Sequence, residues 1–207
     1  VTAPRDNART DILAAARVLL AEVGPDALSL REVARRAGVS HQAPYHYWKT
    51  RQDLLHEFAV EGFADLDASM AEAQRMAAAT TSEQLIACGL GYVRFAVATP
   101  AIFALMMQRT HVPAGTAVAP SHAARAPWVR IAEAVRAHRQ AVGETVGDID
   151  DPAVVLDAQA LWAQGHGLSW FAIQGTLGRL APDDPLRHAR AVLERTMGFF
   201  SANAGRP

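Results

Sequence analysis

Between Gly38 and Leu55 the chain reads GVSHQAPYHYWKTRQDLL. From His41 to Trp48 it gathers two histidines, a glutamine, two tyrosines and a tryptophan. Gln and His side chains can hydrogen-bond base edges, and Tyr and His can reach phosphate oxygens. At helical spacing His41, Gln42, Tyr45 and His46 share one face, while Pro44, Tyr47 and Trp48 share the other. Pro44 is the awkward residue. With Ser40 as helix cap, Pro44 is the fourth helical residue and removes only the first intrahelical bond, whose acceptor is the Ser40 carbonyl. One turn further on, a proline costs about 3 kcal/mol.

The residues upstream supply a scaffold for this face. Ser29-Leu30-Arg31-Glu32 has the form of a capping box, and Val33, Ala34 and Ala37 then fall on one side of a helix. Ala34 is small enough to admit a close second helix. Gly38, four residues on, suits a helix end in left-handed geometry, and Ser40 suits the start of the next helix. Small residue, glycine, apolar residue and cap in this order are the sequence form of a helix-turn-helix.

Charge agrees with a module that meets a polyanion. Residues 1–51 hold eight Lys/Arg against five acids, and residues 52–207 hold twelve against sixteen, within an overall net charge of −1. Lys49 is the only lysine. An acidic body argues against an architectural DNA-binding protein, which is the alternative reading. Catalysis finds no support: the chain has no HExxH, no GxSxG, no phosphate-binding glycine loop and no cysteine pair. His111 and His122 lack clear carboxylate companions, so no metal or cofactor is expected. One cysteine, Cys88 in LIACGLGYV, excludes an internal disulfide and reads as buried and inert. VTAPRDNART has no apolar leader, which gives a cytoplasmic expectation. Ala158–Gly178 carries no charge over a span long enough to cross a bilayer. Its Gln159, Gln164, His166, Ser169, Gln174, Thr176 and four glycines make it a helix buried in protein, not in lipid.

The periodicity predicts an all-α chain of about nine helices, near 7–23, 30–36, 41–47, 52–78, 82–98, 100–109, 127–142, 152–177 and 184–202. Thr81 or Ser82 caps the fifth, and Asp183 or Asp184 the ninth. THVPAGTAVAPSHAARAP, between the sixth and seventh, is the stretch expected to be least ordered. Two domains follow: a helix-turn-helix domain at 1–51 and a helical domain at 52–207.

The stretch ILAAARVLLAEVGPDALSLREVARRAGVSHQAPYHYWKTRQDLL resembles the DNA-binding domain of TetR-family transcriptional regulators. It carries an apolar first helix, the R-x-[IV]-A-x-x-A-G-V-S core and an ending of aromatics, a basic residue and Leu-Leu. Pro44 stands where the family has an aliphatic residue, Trp48 where it has Phe, and Arg51 where it has Lys. The resemblance implies a homodimeric regulator, most often a repressor, that binds double-stranded DNA. It implies DNA contacts from Arg31, Ser40, His41, Gln42, Ala43, Tyr45, His46, Lys49 and Arg51. Arg5 and Arg9 are either a basic arm or a frayed terminus. In the C-terminal body, Trp162, His166 and Gly167 of LWAQGHGLSW resemble the W-H-G signature of one class of TetR C-terminal domains, and ATPAIFALMMQR resembles the start of the family's sixth helix.

Two expectations concern that body. The helix at 152–177 is apolar or small on every side, so it must be covered all round, and a second subunit over 152–177 and 184–202 supplies the cover. Tyr92, Phe95, Phe103, Met106, Met107, Trp128, Trp162 and Trp170 can wall a pocket for a small hydrophobic effector, with His166 or Arg94 orienting its polar end. The same residues at helical spacing also make a plain core.

Overall fold

The computed structural model describes residues 4–107, 122–176 and 184–203, and every regular element within them is a helix. In chain order these are α1 (Pro4–Ala27), α2 (Leu30–Arg36), a 3-10 helix (Ala43–His46), α3 (Arg51–Met76), α4 (Thr81–Ala98), α5 (Pro100–Met107), α6 (His122–Ala141), α7 (Pro152–Ile173) and α8 (Pro185–Asn203). The all-α expectation holds. Most of THVPAGTAVAPSHAARAP, with His111, lies outside the described residues, and α6 begins at His122, ahead of the expected 127, running through Pro127. α1 is broken at Gly24, where φ is 74° and Pro25 follows.

Local chemistry sets the helix starts. Asp151 caps α7, accepting from Ala153 N (2.9 Å) and Gly147 N (2.8 Å), and these backbone donors hold its carboxyl below the usual range. Asp184 caps α8 through Leu186 N and Arg187 N, both 3.0 Å, with Pro185 just inside. The α4 cap is Thr80, one residue before the expected pair: its Oγ1 accepts from Glu83 N at 3.3 Å. α3 opens on a full reciprocal box that the sequence reading did not single out. Asp53 N donates to Thr50 Oγ1 (3.2 Å) and Thr50 N to Asp53 Oδ2 (2.8 Å).

The chain divides into two compact units. The first runs to Gly62 and takes in α5; the second holds residues 63–98 and the chain from α6 onward. α3 thus serves both: the expected boundary at 51/52 falls at its first residue, whereas the two units part after Gly62 and α5 goes with the first.

In the first unit α1 packs on α2 and α5 around Ile12, Leu20, Val33, Leu54, Leu55, Phe58 and Phe103, all fully buried. Burying each such side chain contributes about 1.5–3 kcal/mol. Gly62 lets α5 lie close: a Cβ there would meet Met106 Sδ at 2.6 Å and Ile102 Cγ2 at 2.7 Å. In the second unit α4 is the central element, packed on α6, α7 and α8 and burying Leu85, Ile86, Tyr92, Val93 and Phe95.

Gly91 sets the tightest approach in the second unit. A Cβ at this position would lie 2.5 Å from Met70 Cα and 2.7 Å from Ser69 O, and Ser69 Oγ donates to the Gly91 carbonyl at 2.8 Å. Helix propensity alone favours alanine over glycine by about 1 kcal/mol. Here backbone meets the new methyl, and neither helix can yield locally. Gly91→Ala is expected to destabilise the protein by about 1–3 kcal/mol, read as a lowered midpoint in urea unfolding.

Candidate nucleic-acid interface and candidate effector site

The helix-turn-helix is built by backbone bonds at each joint. Ser29 caps α2, its Oγ accepting from Glu32 N at 3.2 Å. The expected box is half formed, because the Glu32 carboxylate takes Arg35 Nε and Nη2 (2.8 and 2.6 Å). Gly38 (φ 68°) closes α2: its N–H reaches Arg35 O, and Val39 N reaches Ala34 O at 3.1 Å.

The recognition segment differs from the expected α-helix. It is a 3-10 helix, with Pro44 as its second residue. Pro44 has no N–H to offer the Ser40 carbonyl, so that carbonyl accepts from Ala43 N instead, at 2.9 Å. Tyr45 N then bonds Gln42 O (3.1 Å) and Tyr47 N bonds Pro44 O (3.0 Å). Ser40 contributes its carbonyl to the turn, and Gln42 takes the cap position without a side-chain cap bond.

His41, Gln42, Tyr45, His46 and Lys49 are exposed, Ala43 is half-buried, and Pro44 and Trp48 are buried. Arg31 is exposed and makes no ion pair among the described residues. Arg51 is differently engaged: it is half-buried and donates to the carbonyls of Pro25 (3.3 Å) and Asp26 (2.7 Å), tying the end of α1 to the start of α3. A phosphate at Arg51 has those two acceptors as rivals.

Glu57 on α3 fixes the far end of the recognition segment. It accepts from Trp48 Nε1 at 2.7 Å with one oxygen and pairs with Arg9 through the other. The Arg9 guanidinium lies 5.6 Å from the centre of the Trp48 ring. Arg9 is therefore part of this network on α1; the Arg5 side chain lies outside the described residues. One turn on, Arg17 pairs with Glu61 and covers Phe58 at 5.2 Å.

In the second unit part of the expected pocket comes together. The Tyr92 and Trp162 rings meet edge to face at 5.4 Å, Trp128 lies 6.2 Å from Trp162, and the Tyr92 hydroxyl is 3.4 Å from His166 Nδ1. Burial pushes the Tyr92 hydroxyl pKa up. Phe95 is buried on α4. The space here is small: Leu85, Cys88, Tyr92, Ile131, Leu161 and Leu193 enclose about 20 Å³, room for one water. Phe103, Met106 and Met107 belong to α5 in the first unit, so the expected single wall is shared between two cores. Arg94, expected with His166 to orient a polar end, is exposed, and Trp170 is 48 % exposed. Burial lifts the Cys88 thiol to about 12, leaving it unreactive.

The larger opening was missed. A cleft of about 970 Å³ runs between α3, α4 and α6, bordered by Asp67, Gln74, Thr81, Gln84, Arg125, Arg130 and Glu133, with Ala126, Val129, Ala134 and Ala137. Arg130 grips Asp67 with Nε (2.6 Å) and Nη2 (2.9 Å) and donates to Gln74 through Nη1 (3.2 Å). None of these residues stands out in the sequence, although Asp67 and Gln74, seven apart on α3, fall on one side of that helix. No group of metal-ligating side chains occurs among the described residues.

A buried-Ala34 helix, a left-handed glycine and an exposed His/Gln/Tyr turn, followed by a separate helical unit, define a helix-turn-helix transcriptional regulator. Residues 12–58 match the family described as bacterial regulatory proteins, tetR family, and residues 85–196 match the tetracyclin repressor-like C-terminal domain. The chain belongs to the TetR family. A solved protein of unknown function from Rhodococcus sp. RHA1 is 31 % identical, covering 91 % of this chain and 92 % of that one, with a TM-score of 0.75. At fold level the chain also resembles FadR from Bacillus subtilis in complex with stearoyl-CoA (18 % identity, 90 % and 96 % covered, TM-score 0.65). It resembles PfmR from Thermus thermophilus as well (22 %, 94 % and 95 % covered, 0.61). No curated protein matches it.

Glu57 gives the interface a direct test. Glu57→Ala removes the acceptor of a part-buried indole and frees Arg9, at an expected cost of about 1–3 kcal/mol in urea unfolding. DNA affinity falls with it, because Trp48 ends the recognition segment. Glu57→Gln keeps an acceptor for Trp48 and is expected to recover most of both losses.

Proposed function

We propose that the protein is a ligand-responsive repressor that binds a palindromic operator as a homodimer and leaves it when a small effector binds. The observation that carries the reading is the exposed face of the 3-10 helix. Gln42 and His41 present groups able to read bases, Arg31, Tyr45, His46 and Lys49 are exposed as well, and the apolar side of the same turn is buried. In this reading the protein acts in the cytoplasm and needs no catalytic group.

One such turn reads only a few base pairs. Two, held about 34 Å apart, read a palindrome. Support for the dimer comes from α7, where Leu156 (66 % exposed), Trp170 and Phe171 (51 %) recur with exposed Ala160 and Ala163 at helical spacing. A stripe of this kind suits burial against its own copy, together with α8. Support for an effector comes from the cleft, whose volume suits a small molecule, and from the ligand-bound state of FadR, a neighbour in fold. The effector in this reading is largely hydrophobic with a polar end. It releases DNA only by binding better to a form whose two recognition segments no longer match the groove spacing. α3, which belongs to both units, is the lever.

Arg31→Ala and Gln42→Ala are each expected to weaken binding to the operator by about 1–3 kcal/mol, measured by fluorescence anisotropy against the operator and against random DNA. Unchanged operator affinity in both variants would remove the proposed reading face. Sedimentation at micromolar concentration is expected to give a dimer, and a monomer there contradicts the two-fold reading.

A further inference from the structure

The lining of the cleft between α3, α4 and α6 holds two arginines and two carboxylates, and one of those carboxylates is answered from outside it. Arg130 has five N–H donors. Two go to Asp67 and one to Gln74, leaving two without a partner among the described residues. Arg125, also lining the cleft, is exposed and makes no ion pair among the described residues. The two carboxylates of the lining are both committed: Asp67 to Arg130, and Glu133 to Arg136 at 2.8 Å. Arg136 lies outside the lining, so it answers Glu133, and one positive charge remains over.

Charge is half of the description. α6 also contributes Ala126, Val129, Ala134 and Ala137 to the lining, all apolar and all short. A ligand that fills such a space brings a hydrocarbon body for these residues and an anionic head for the arginines. A cationic head finds no free carboxylate. A neutral head brings no counter-charge for Arg125 and forgoes the ion pair that a carboxylate makes with the guanidinium of Arg130.

We propose that the effector is a monoanionic amphiphile, a carboxylate on an alkyl or aryl body, bound in this cleft with its head on Arg125 and the spare N–H groups of Arg130. This rests on the effector reading above and names its ligand class and its site. The Asp67–Arg130 pair has a positioning role: it holds the Arg130 fork at the cleft while leaving two donors free.

The test is titration calorimetry on the full chain with octanoate and phenylacetate, each against its matched amide. At least one carboxylate is expected to bind saturably, once per subunit, and about 10-fold or more tighter than its amide. Arg125→Glu and Arg125→Gln are both expected to weaken that carboxylate about 10-fold or more, with helical circular dichroism unchanged. Arg187→Ala, an exposed arginine outside the cleft, leaves it unaffected. Amides that bind as tightly, carboxylate affinity indifferent to both Arg125 variants, or no saturable binding of either carboxylate at millimolar concentration overturns the proposal. Carboxylate binding that leaves the protein on its operator keeps this site and overturns the release reading. Release by an uncharged ligand, insensitive to Arg125→Glu, does the reverse.

Discussion

One helix has to complete two hydrophobic cores, and that requirement governs the rest of the molecule. α3 rises about 1.5 Å per residue and carries Leu54, Leu55 and Phe58 into the core around α1. Leu66 and Met70, further along, are equally buried and belong to the second unit. A slip of α3 by one residue turns each of these side chains by about 100° and exposes both sets together. The capping box at Thr50 and Asp53 and the Arg51 bonds to Pro25 and Asp26 fix where the helix begins. The close contact of Ser69 and Met70 with Gly91 fixes it again further along.

The ion pairs around α3 add register more than stability. Arg9–Glu57 and Arg17–Glu61 have side chains 25–45 % exposed, and pairs in that setting contribute about 0–1 kcal/mol each. Their partners are spaced differently on the two helices: eight residues separate Arg9 from Arg17, and four separate Glu57 from Glu61. A displaced α1 therefore cannot keep both. Trp48 converts this from an arrangement of charges into a placement of the recognition segment, since its indole shares Glu57 with Arg9.

Much of this was legible because it is local. Helix starts and stops follow from Ser29, Gly38, Asp184 and Pro185, each acting within a turn of its own position. The helix-turn-helix was legible for the same reason. The α-helical expectation treats Pro44 as a tolerated flaw, but the missing amide changes the kind of helix, because it removes the first i→i−4 bond and leaves the i→i−3 bond intact. The candidate effector site is harder to read. Tyr92, Trp162 and His166 stand out in the sequence, and they meet in the structure. That Phe103 and Met106 pack in the first unit depends on which neighbour a short helix apolar on all sides chooses, and periodicity does not encode that. The cleft stayed hidden because its polar residues sit on three helices, far apart in sequence, each in a pattern that also describes an ordinary wet surface.

The 3-10 turn has a consequence for how this protein can change over generations. With three residues per turn, side chains at i and i+3 eclipse one another. Gln42 and Tyr45 stand in that relation, as do Ala43 and His46. A replacement at one position alters the room available to the other, so their effects do not add. Pro44 meanwhile locks the backbone φ between them. In the proposed reading of this face, new operator preferences are thus reached by paired replacements more readily than by single ones. Epistasis of this kind makes the present preference hard to leave by small steps, and it follows from one imino acid in the recognition segment.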